Sequence, residues 1–317
     1  MKTDTILITG ALGQIGSELA EKLKAIYGKN NVIISDIKDP KDVEYDGIYE
    51  VINVLDVDRI KEVITKHNVK TVYHLAALLS GTAEKNPMFG WKLNMDTLLT
   101  FLELAKDKVI DKIFWPSSIG VFGPDTPKEN TPQNPVQTPS TVYGISKLAG
   151  EYWCKWYQQN HDVDVRSVRF PGLISWKTPA GGGTTDYAVD IYYKAVEDGK
   201  YTCFLKKDTN LPMLYMDDAI EAILQLMSTD KNNLKEFKSY NLGGLSFSPE
   251  ELFIEIKKYI PEFEISYEPD FRQAIADSWP SSIEDIEAKT DWGFEPKYSI
   301  DRMTTTMLDN LKLKLIK

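Results

Sequence analysis

Thr5-Ile6-Leu7-Ile8-Thr9-Gly10-Ala11-Leu12-Gly13-Gln14-Ile15-Gly16-Ser17-Glu18-Leu19 decides how this chain folds. The apolar run reads as a short buried strand, and the glycine-punctuated turn after it opens an amphipathic helix. Gly10 permits the tight turn. Gly13 lets backbone N–H groups approach a pyrophosphate at the helix N-terminus, beside Gln14 and Ile15, and Gly16 lets helix and strand pack closely. Strand, tight turn and helix in this order predict the first unit of an α/β fold: a doubly wound parallel sheet of the Rossmann kind that binds a dinucleotide.

The next strand, 31–35, ends in Asp36, twenty residues after Gly16 (36 − 16 = 20). A carboxylate there accepts hydrogen bonds from the adenosine ribose hydroxyls and repels a 2′-phosphate, which favours NAD over NADP. Segment 51–57 reads as a third strand with Asp56 beside the adenine, followed by a helix over 59–68. A fourth strand, 71–77, runs into Leu75, Ala76 and Ala77, as expected where backbone passes close to a cofactor. His74 within it reads as a packed core histidine. The helix 90–107 carries Leu93, Leu98, Leu99, Phe101, Leu102 and Leu104, more apolar surface than one core-facing stripe requires, so a partner helix is expected. A fifth strand, 112–115, leads to Pro116-Ser117-Ser118 at the carboxyl edge of the sheet, where ligands of such folds bind. The proline-rich run 124–139 must be a loop.

That loop delivers Thr141-Val142-Tyr143-Gly144-Ile145-Ser146-Lys147, a helix entry with Tyr143 and Lys147 on one face. An ammonium beside a phenol favours the phenolate, so a group that ordinarily loses its proton near pH ~10 becomes a base closer to neutrality. This is the chemistry of taking a proton from an alcohol. With 16 Tyr in the chain such pairs recur by chance, and this one gains meaning from the hydride-acceptor site at the Gly10 turn.

After a sixth strand over 163–170 the alternation loses its regularity. Residues 1–170, with a returning segment near 214–242, are expected to form an NAD-binding Rossmann domain, and 171–317 mainly a substrate-binding lobe. The lobe opens with Pro179-Ala180-Gly181-Gly182-Gly183-Thr184-Thr185-Asp186-Tyr187, readable as a surface connection in which Thr185 or Asp186 caps the next helix. Segment 214–216 reads as a strand followed by a capped helix, and Ser248-Pro249-Glu250-Glu251 as a further helix start. The aromatics of the tail read as packing. No internal repeat or low-complexity tract is present.

Lys plus Arg is 37 and Asp plus Glu is 47, a net charge of −10, which argues against a nucleic-acid or basic membrane-surface partner. Cys154 and Cys203 lie in unrelated contexts without metal-ligand spacing, so neither a disulfide framework nor a bound metal is expected, and the chain reads as reduced and intracellular. No apolar run reaches the ~18 residues of a membrane span, and Met1-Lys2-Thr3-Asp4-Thr5 leaves no room for a leader before the first strand. The expected location is cytoplasmic.

Thr9-Gly10-x-x-Gly13-x-x-Gly16, Ser118 and Tyr143-x-x-x-Lys147, in this order, resemble the extended short-chain dehydrogenases and sugar-nucleotide epimerases. Ser118 stands where that superfamily has its catalytic serine, five residues before Gly123, although Phe122 replaces the usual tyrosine. Further stretches narrow the likeness: 78–87, Pro171-Gly172-Leu173-Ile174-Ser175, 181–189 and Asp277-Ser278-Trp279-Pro280 are similar to the short-chain type of L-threonine 3-dehydrogenase. The resemblance implies oxidation of the C3 hydroxyl of L-threonine by NAD+ to 2-amino-3-oxobutanoate, without a metal, by a homodimer. It implies Tyr143 as base, Ser118 as hydrogen-bond partner of the substrate hydroxyl, and Lys147 as the group that holds the nicotinamide ribose and lowers the Tyr143 pKa. Asn94 would support Lys147 through water, Val57 and Leu173 would join the cofactor contacts, and Ser80, Thr184, Thr185, Asp186 and Trp279 would hold the amino acid. Two other readings stand beside it: a sugar-nucleotide epimerase or dehydratase, against which the scarcity of arginine weighs, and a non-catalytic NAD-binding protein of the same fold.

Overall fold

The computed structural model describes residues 4–236 and 238–315, so the expectation for Met1, Lys2 and Thr3 lies outside the described residues. The first half alternates as its pattern requires: β1 (Thr5–Thr9), α1 (Gln14–Tyr27), β2 (Val32–Asp36), β3 (Ile48–Val51), α2 (Val57–His67), β4 (Val69–His74), α3 (Ser80–Ala83), α4 (Pro87–Lys106) and β5 (Lys112–Phe114). There follow β6 (Ser117–Ser118), α5 (Val142–His161), β7 (Asp164–Arg166), β8 (Val168–Phe170) and β9 (Gly172–Ile174). The remainder holds α6 (Tyr187–Glu197), β10 (Lys200–Cys203), β11 (Leu211–Tyr215), α7 (Met216–Ser228), β12 (Tyr240–Asn241), β13 (Leu245–Phe247) and α8 (Pro249–Lys257). Last come β14 (Glu264–Tyr267), α9 (Arg272–Ser278), α10 (Ile286–Trp292) and α11 (Ile300–Leu315).

Six strands form one parallel sheet in the order β3-β2-β1-β4-β5-β7. The order reverses on either side of β1, which opens a crevice at the carboxyl ends of β1 and β4. Alternation along β1 explains its two-sided burial. Ile6 and Ile8 pack with Leu19 and Leu23 of α1 on one face, while Leu7 packs with Val63, Val72 and Phe101 on the other. Leu214, Ile220, Ile223 and Leu226 join the Ile6 cluster, so β11 and α7 return to α1. A separate cluster around Tyr187, Ile191, Leu252, Met303 and Met307 fills the C-terminal part.

Several expectations need correction. The sixth strand is broken at Ser167: β7 completes the large sheet, but β8 pairs with β6 and β12. The Ser239 hydroxyl donates to Ser167 Oγ at 2.6 Å where the chain turns. The partner expected for the apolar helix is α5 of the same chain, brought close because Gly150 places no Cβ against Trp115 and Leu98. The α7 start has no side-chain cap; Asp217 and Asp218 instead accept from Tyr298 Oη and from the Lys297 and Tyr298 backbone. Ser248 and Glu251 do form a reciprocal capping box. Cys154 and Cys203 are both buried free thiols. His74 is buried, its ring nitrogens bonded to Thr9 Oγ1 and Thr97 Oγ1 at 2.8 Å each. Because the Thr97 hydroxyl already donates to Leu93 O, Nε2 of the ring carries the proton and Nδ1 accepts. Burial pushes the ring down to about 3, a neutral packed histidine.

A charged tie crosses the interior. Arg169 of β8 forks onto Glu151 of α5 with Nε–Oε1 and Nη2–Oε2 both at 2.8 Å, and both side chains are 0% exposed. Arg169 Nη1 donates to Gln133 O and Asn241 Oδ1, and Ser117 Oγ donates to Glu151 Oε1. Burial alone would raise the Glu151 pKa; the guanidinium and the Ser117 hydroxyl outweigh it and hold the carboxylate below its usual range. Arg169→Met should therefore cost about 3–5 kcal/mol in chemical denaturation, because it strands a buried charge. A depressed carboxylate stabilises above its unfolded pKa of ~4.3 and loses that contribution as pH falls below it, so parent and variant should converge in acid.

Candidate active site

A cavity of about 640 Å³ lies over the crevice. At its floor Gly10 has φ +66°, and a Cβ there would sit 2.7 Å from Ala76 N, so only glycine lets β1 turn this close to β4. A Cβ on Gly16 would meet Gly10 O and Ala11 Cα at 2.6 Å, and α1 leans directly on the turn. The first turn of α1 has no acidic residue and no side-chain cap, which leaves its N–H groups and positive dipole end for an anion. Gly13, Gln14 and Ile15 line the cavity there. Asp36 reaches it from the end of β2, its carboxylate fixed by Leu12 N at 3.2 Å and Ile37 N at 2.8 Å. Leu75, Ala76, Ala77 and Leu173 complete the predicted cofactor wall. An adenosine ribose beside Asp36 and a pyrophosphate at α1 fit these donors and this carboxylate.

Three predicted cofactor contacts stand elsewhere. β3 ends at Val51, so Asp56 is the N-cap of α2, accepting from Arg59 N at 3.0 Å, and Val57 is the exposed first residue of that helix. The cavity is lined instead by Ile52 to Leu55, positions that the strand-end rule selects once β3 is stopped at Val51. Asn94 is a brace. It accepts from Leu78 N, donates to Leu78 O and to Ser146 Oγ, and so holds the 78–80 segment against α5 beside Lys147. Phe89 and Leu93, one turn apart on α4, line the cavity too and had no signal beyond apolar periodicity.

Ser118, Tyr143 and Lys147 share the deeper part of the cavity. Thr141 caps α5 by accepting from Gly144 N at 3.0 Å, which sets Tyr143 and Lys147 on its inward face. Ser118 Oγ accepts from Gly120 N at 3.1 Å, leaving its own proton to donate towards Tyr143. Burial pushes Tyr143 up to about 12, with the Ser118 hydrogen bond pulling the other way. Burial pushes Lys147 down to about 7. Lys147 Nζ donates to Pro116 O at 2.7 Å and lies over the Trp115 and Tyr143 rings at 4.5 and 5.6 Å. Burial is thus the dominant influence on the Tyr143 pKa, and the Lys147 ammonium is engaged with a carbonyl.

The predicted substrate contacts Ser80, Thr184, Thr185, Asp186 and Trp279 also meet on the cavity wall. Thr184 is 2% exposed, and its Oγ1 is a buried atom without a hydrogen-bond partner among the described residues. Asp186 does not cap α6. Its Oδ2 turns back to accept from Gly182 N and Gly183 N at 2.6 and 2.7 Å and so shapes the glycine loop. Gly181 to Gly183 packs on α3, where a Cβ on Gly81 would approach Gly182 O to 2.7 Å. Among the described residues no group of three or more His, Cys, Asp or Glu is placed to hold a metal ion, and no helix is long and apolar enough to cross a membrane.

Sheet order, glycine turn and the Ser–Tyr–Lys cavity together define an oxidoreductase site of the short-chain dehydrogenase type. The chain belongs to the NAD dependent epimerase/dehydratase family, whose model matches residues 6–243. An uncharacterized epimerase/dehydratase of Staphylococcus saprophyticus is 49% identical, over 98% of this chain and 97% of its own. The GalE-like L-threonine dehydrogenase from Cupriavidus necator in its holo form superposes with a TM-score of 0.95 at 53% identity, covering 97% of this chain and 100% of that one. A monomeric L-threonine 3-dehydrogenase from a metagenome does so at 0.95 and 48%, covering 98% and 99%.

The fixed Asp36 carboxylate makes a prediction about cofactor choice. Asp36→Ser should weaken NAD+ binding and raise relative affinity for NADP+ by removing the charge that faces a 2′-phosphate. Titration of both cofactors by quenching of protein fluorescence reads this; equal parental affinities would rule out the role.

Proposed function

We propose that this protein oxidises the C3 hydroxyl of L-threonine with NAD+, giving 2-amino-3-oxobutanoate. The observation that carries the reading is a single cavity whose wall brings Ser118, Tyr143 and Lys147 together with Ser80, Thr184, Thr185, Trp279 and the glycine loop shaped by Asp186. The near full-length similarity to proteins named as L-threonine dehydrogenases supports the same substrate. With substrate bound, Ser118 turns its proton from Tyr143 to the substrate hydroxyl oxygen, and Tyr143 takes the hydroxyl proton. Bound NAD+ supplies the acceptor for the C3 hydride, so two electrons leave the alcohol as one proton goes to Tyr143. Burial disfavours a phenolate or an ammonium alone, but Tyr143 and Lys147 one turn apart stabilise each other when both are charged, and that pair is the form able to accept the proton. Thr184, Thr185, Ser80 and Trp279 grip the zwitterion, while Asp186 acts through the loop it holds.

Absorbance of NADH on mixing protein, NAD+ and L-threonine tests the reading; turnover with UDP-sugars and none with threonine would replace it by the epimerase reading. Because burial holds Tyr143 protonated, log kcat for oxidation should climb between pH 7 and 9, at most tenfold per unit; a flat profile would remove Tyr143 as base. Tyr143→Phe should lower kcat by roughly 10²–10⁴ and leave NADH binding close to the parent. Asp186→Ala should raise KM for threonine and lower kcat together, since it releases Gly182 and Gly183, with cofactor affinity nearly unchanged. A homodimer joined through the exposed Trp91, Trp153 and Trp156 of α4 and α5 belongs to the same proposal. Sedimentation equilibrium checks it, and a single monomer mass would put this chain with its monomeric relative. The cytoplasm is the proposed location.

A further inference from the structure

Two parallel hydrogen bonds join α5 to the strand end that carries Ser118. Lys147 Nζ donates to Pro116 O at 2.7 Å, and one turn along the helix Glu151 Oε1 accepts from Ser117 Oγ at 2.6 Å. The next residue after Ser117 is Ser118, in hydrogen-bonding reach of Tyr143 on the same helix. Ser117, Lys147 and Glu151 are all buried, so water does not compete for either bond. Glu151 cannot drift, because Arg169 grips it bidentately and is itself held by Gln133 O and Asn241 Oδ1. The two rungs therefore fix the spacing between the Lys147 ammonium and the Ser118 hydroxyl.

We infer that Ser117 and Glu151 are positioning residues: their hydrogen bond sets the strand end so that Ser118 and Lys147 are held in reacting geometry relative to Tyr143. The inference rests on the reading of Ser118, Tyr143 and Lys147 as the reacting groups. Ser117 is the discriminating position, since removing its hydroxyl leaves the Arg169–Glu151 fork and the apolar core in place. Glu151 also adds a nearby negative charge that favours the Lys147 ammonium against the dominant effect of burial.

The test has two arms on the full chain, with Ser117→Ala and Glu151→Gln. In the first, without cofactor or substrate, acetic anhydride is applied at pH 7 and each lysine is followed by peptide mass spectrometry. Lys147 should be acetylated several-fold faster in both variants, while Lys112, bonded to Met227 O at 3.1 Å elsewhere in the sheet, keeps its parental rate. An unchanged Lys147 rate in Ser117→Ala, or an equal rise at Lys112, would overturn the inference, the latter by reducing the tie to general stability. In the second arm kcat of Ser117→Ala should fall about 10-fold or more, with KM and the NADH Kd within about two-fold, because misplacement of the reacting groups acts on the chemical step. A parental kcat overturns the inference. The labelling arm needs neither NAD+ nor threonine, so a parent that fails to oxidise threonine defeats the proposed function and still leaves the ladder decided.

Discussion

The Arg169–Glu151 pair is the constraint around which the catalytic half of the molecule is arranged. It joins α5, β8, β12, the loop through Gln133 and the strand end at Ser117, five pieces of chain whose apolar contacts alone would permit sliding. A buried charge has few geometries in which every donor and acceptor is matched, whereas apolar side chains tolerate many packings. Placing a fully matched fork behind Ser118 and Lys147 makes their positions a consequence of charge satisfaction. Glu151 is also one helical turn beyond Lys147, so the same helix face carries the reacting groups and their anchor.

Burial has opposite consequences on the two walls of the cavity. At the cofactor end the backbone does most of the work: the α1 N-terminus offers N–H groups, and Asp36 is pinned by two more, so little side-chain ordering remains for a dinucleotide to impose. At the Ser118 end desolvation works against both charges, pushing Tyr143 up and Lys147 down.

The glycine loop completes the arrangement. Asp186 spends its carboxylate on Gly182 and Gly183, and Gly81 removes the side chain that would keep the loop off α3. Thr184 is left buried on the cavity wall. Nearby, Ser175 and Lys177 bond to Glu18 of α1, so the chain entering the loop is tied to the helix whose N-terminus faces the pyrophosphate region.

The sequence by itself determined the parallel sheet, the glycine turn, the strand-end position of Asp36, the core role of His74 and the pairing of Tyr143 with Lys147 on one helix face. These depend on local rules: hydrophobic periodicity, the steric permission of glycine and the 3.6-residue repeat. Tertiary structure decided where strands stop and which polar atoms meet. Asp56 became a helix cap because β3 ended five residues earlier, and Asn94 became a brace because Leu78 and Ser146 happened to converge on it. Lys147 turned to Pro116 O, and Glu151, Arg169 and Ser117 met from positions up to 52 residues apart (169 − 117 = 52). Spacing along one helix is written in the sequence, but the pairing of donors and acceptors across elements follows from how those elements pack, and desolvation of a titrating group is a property of everything around it.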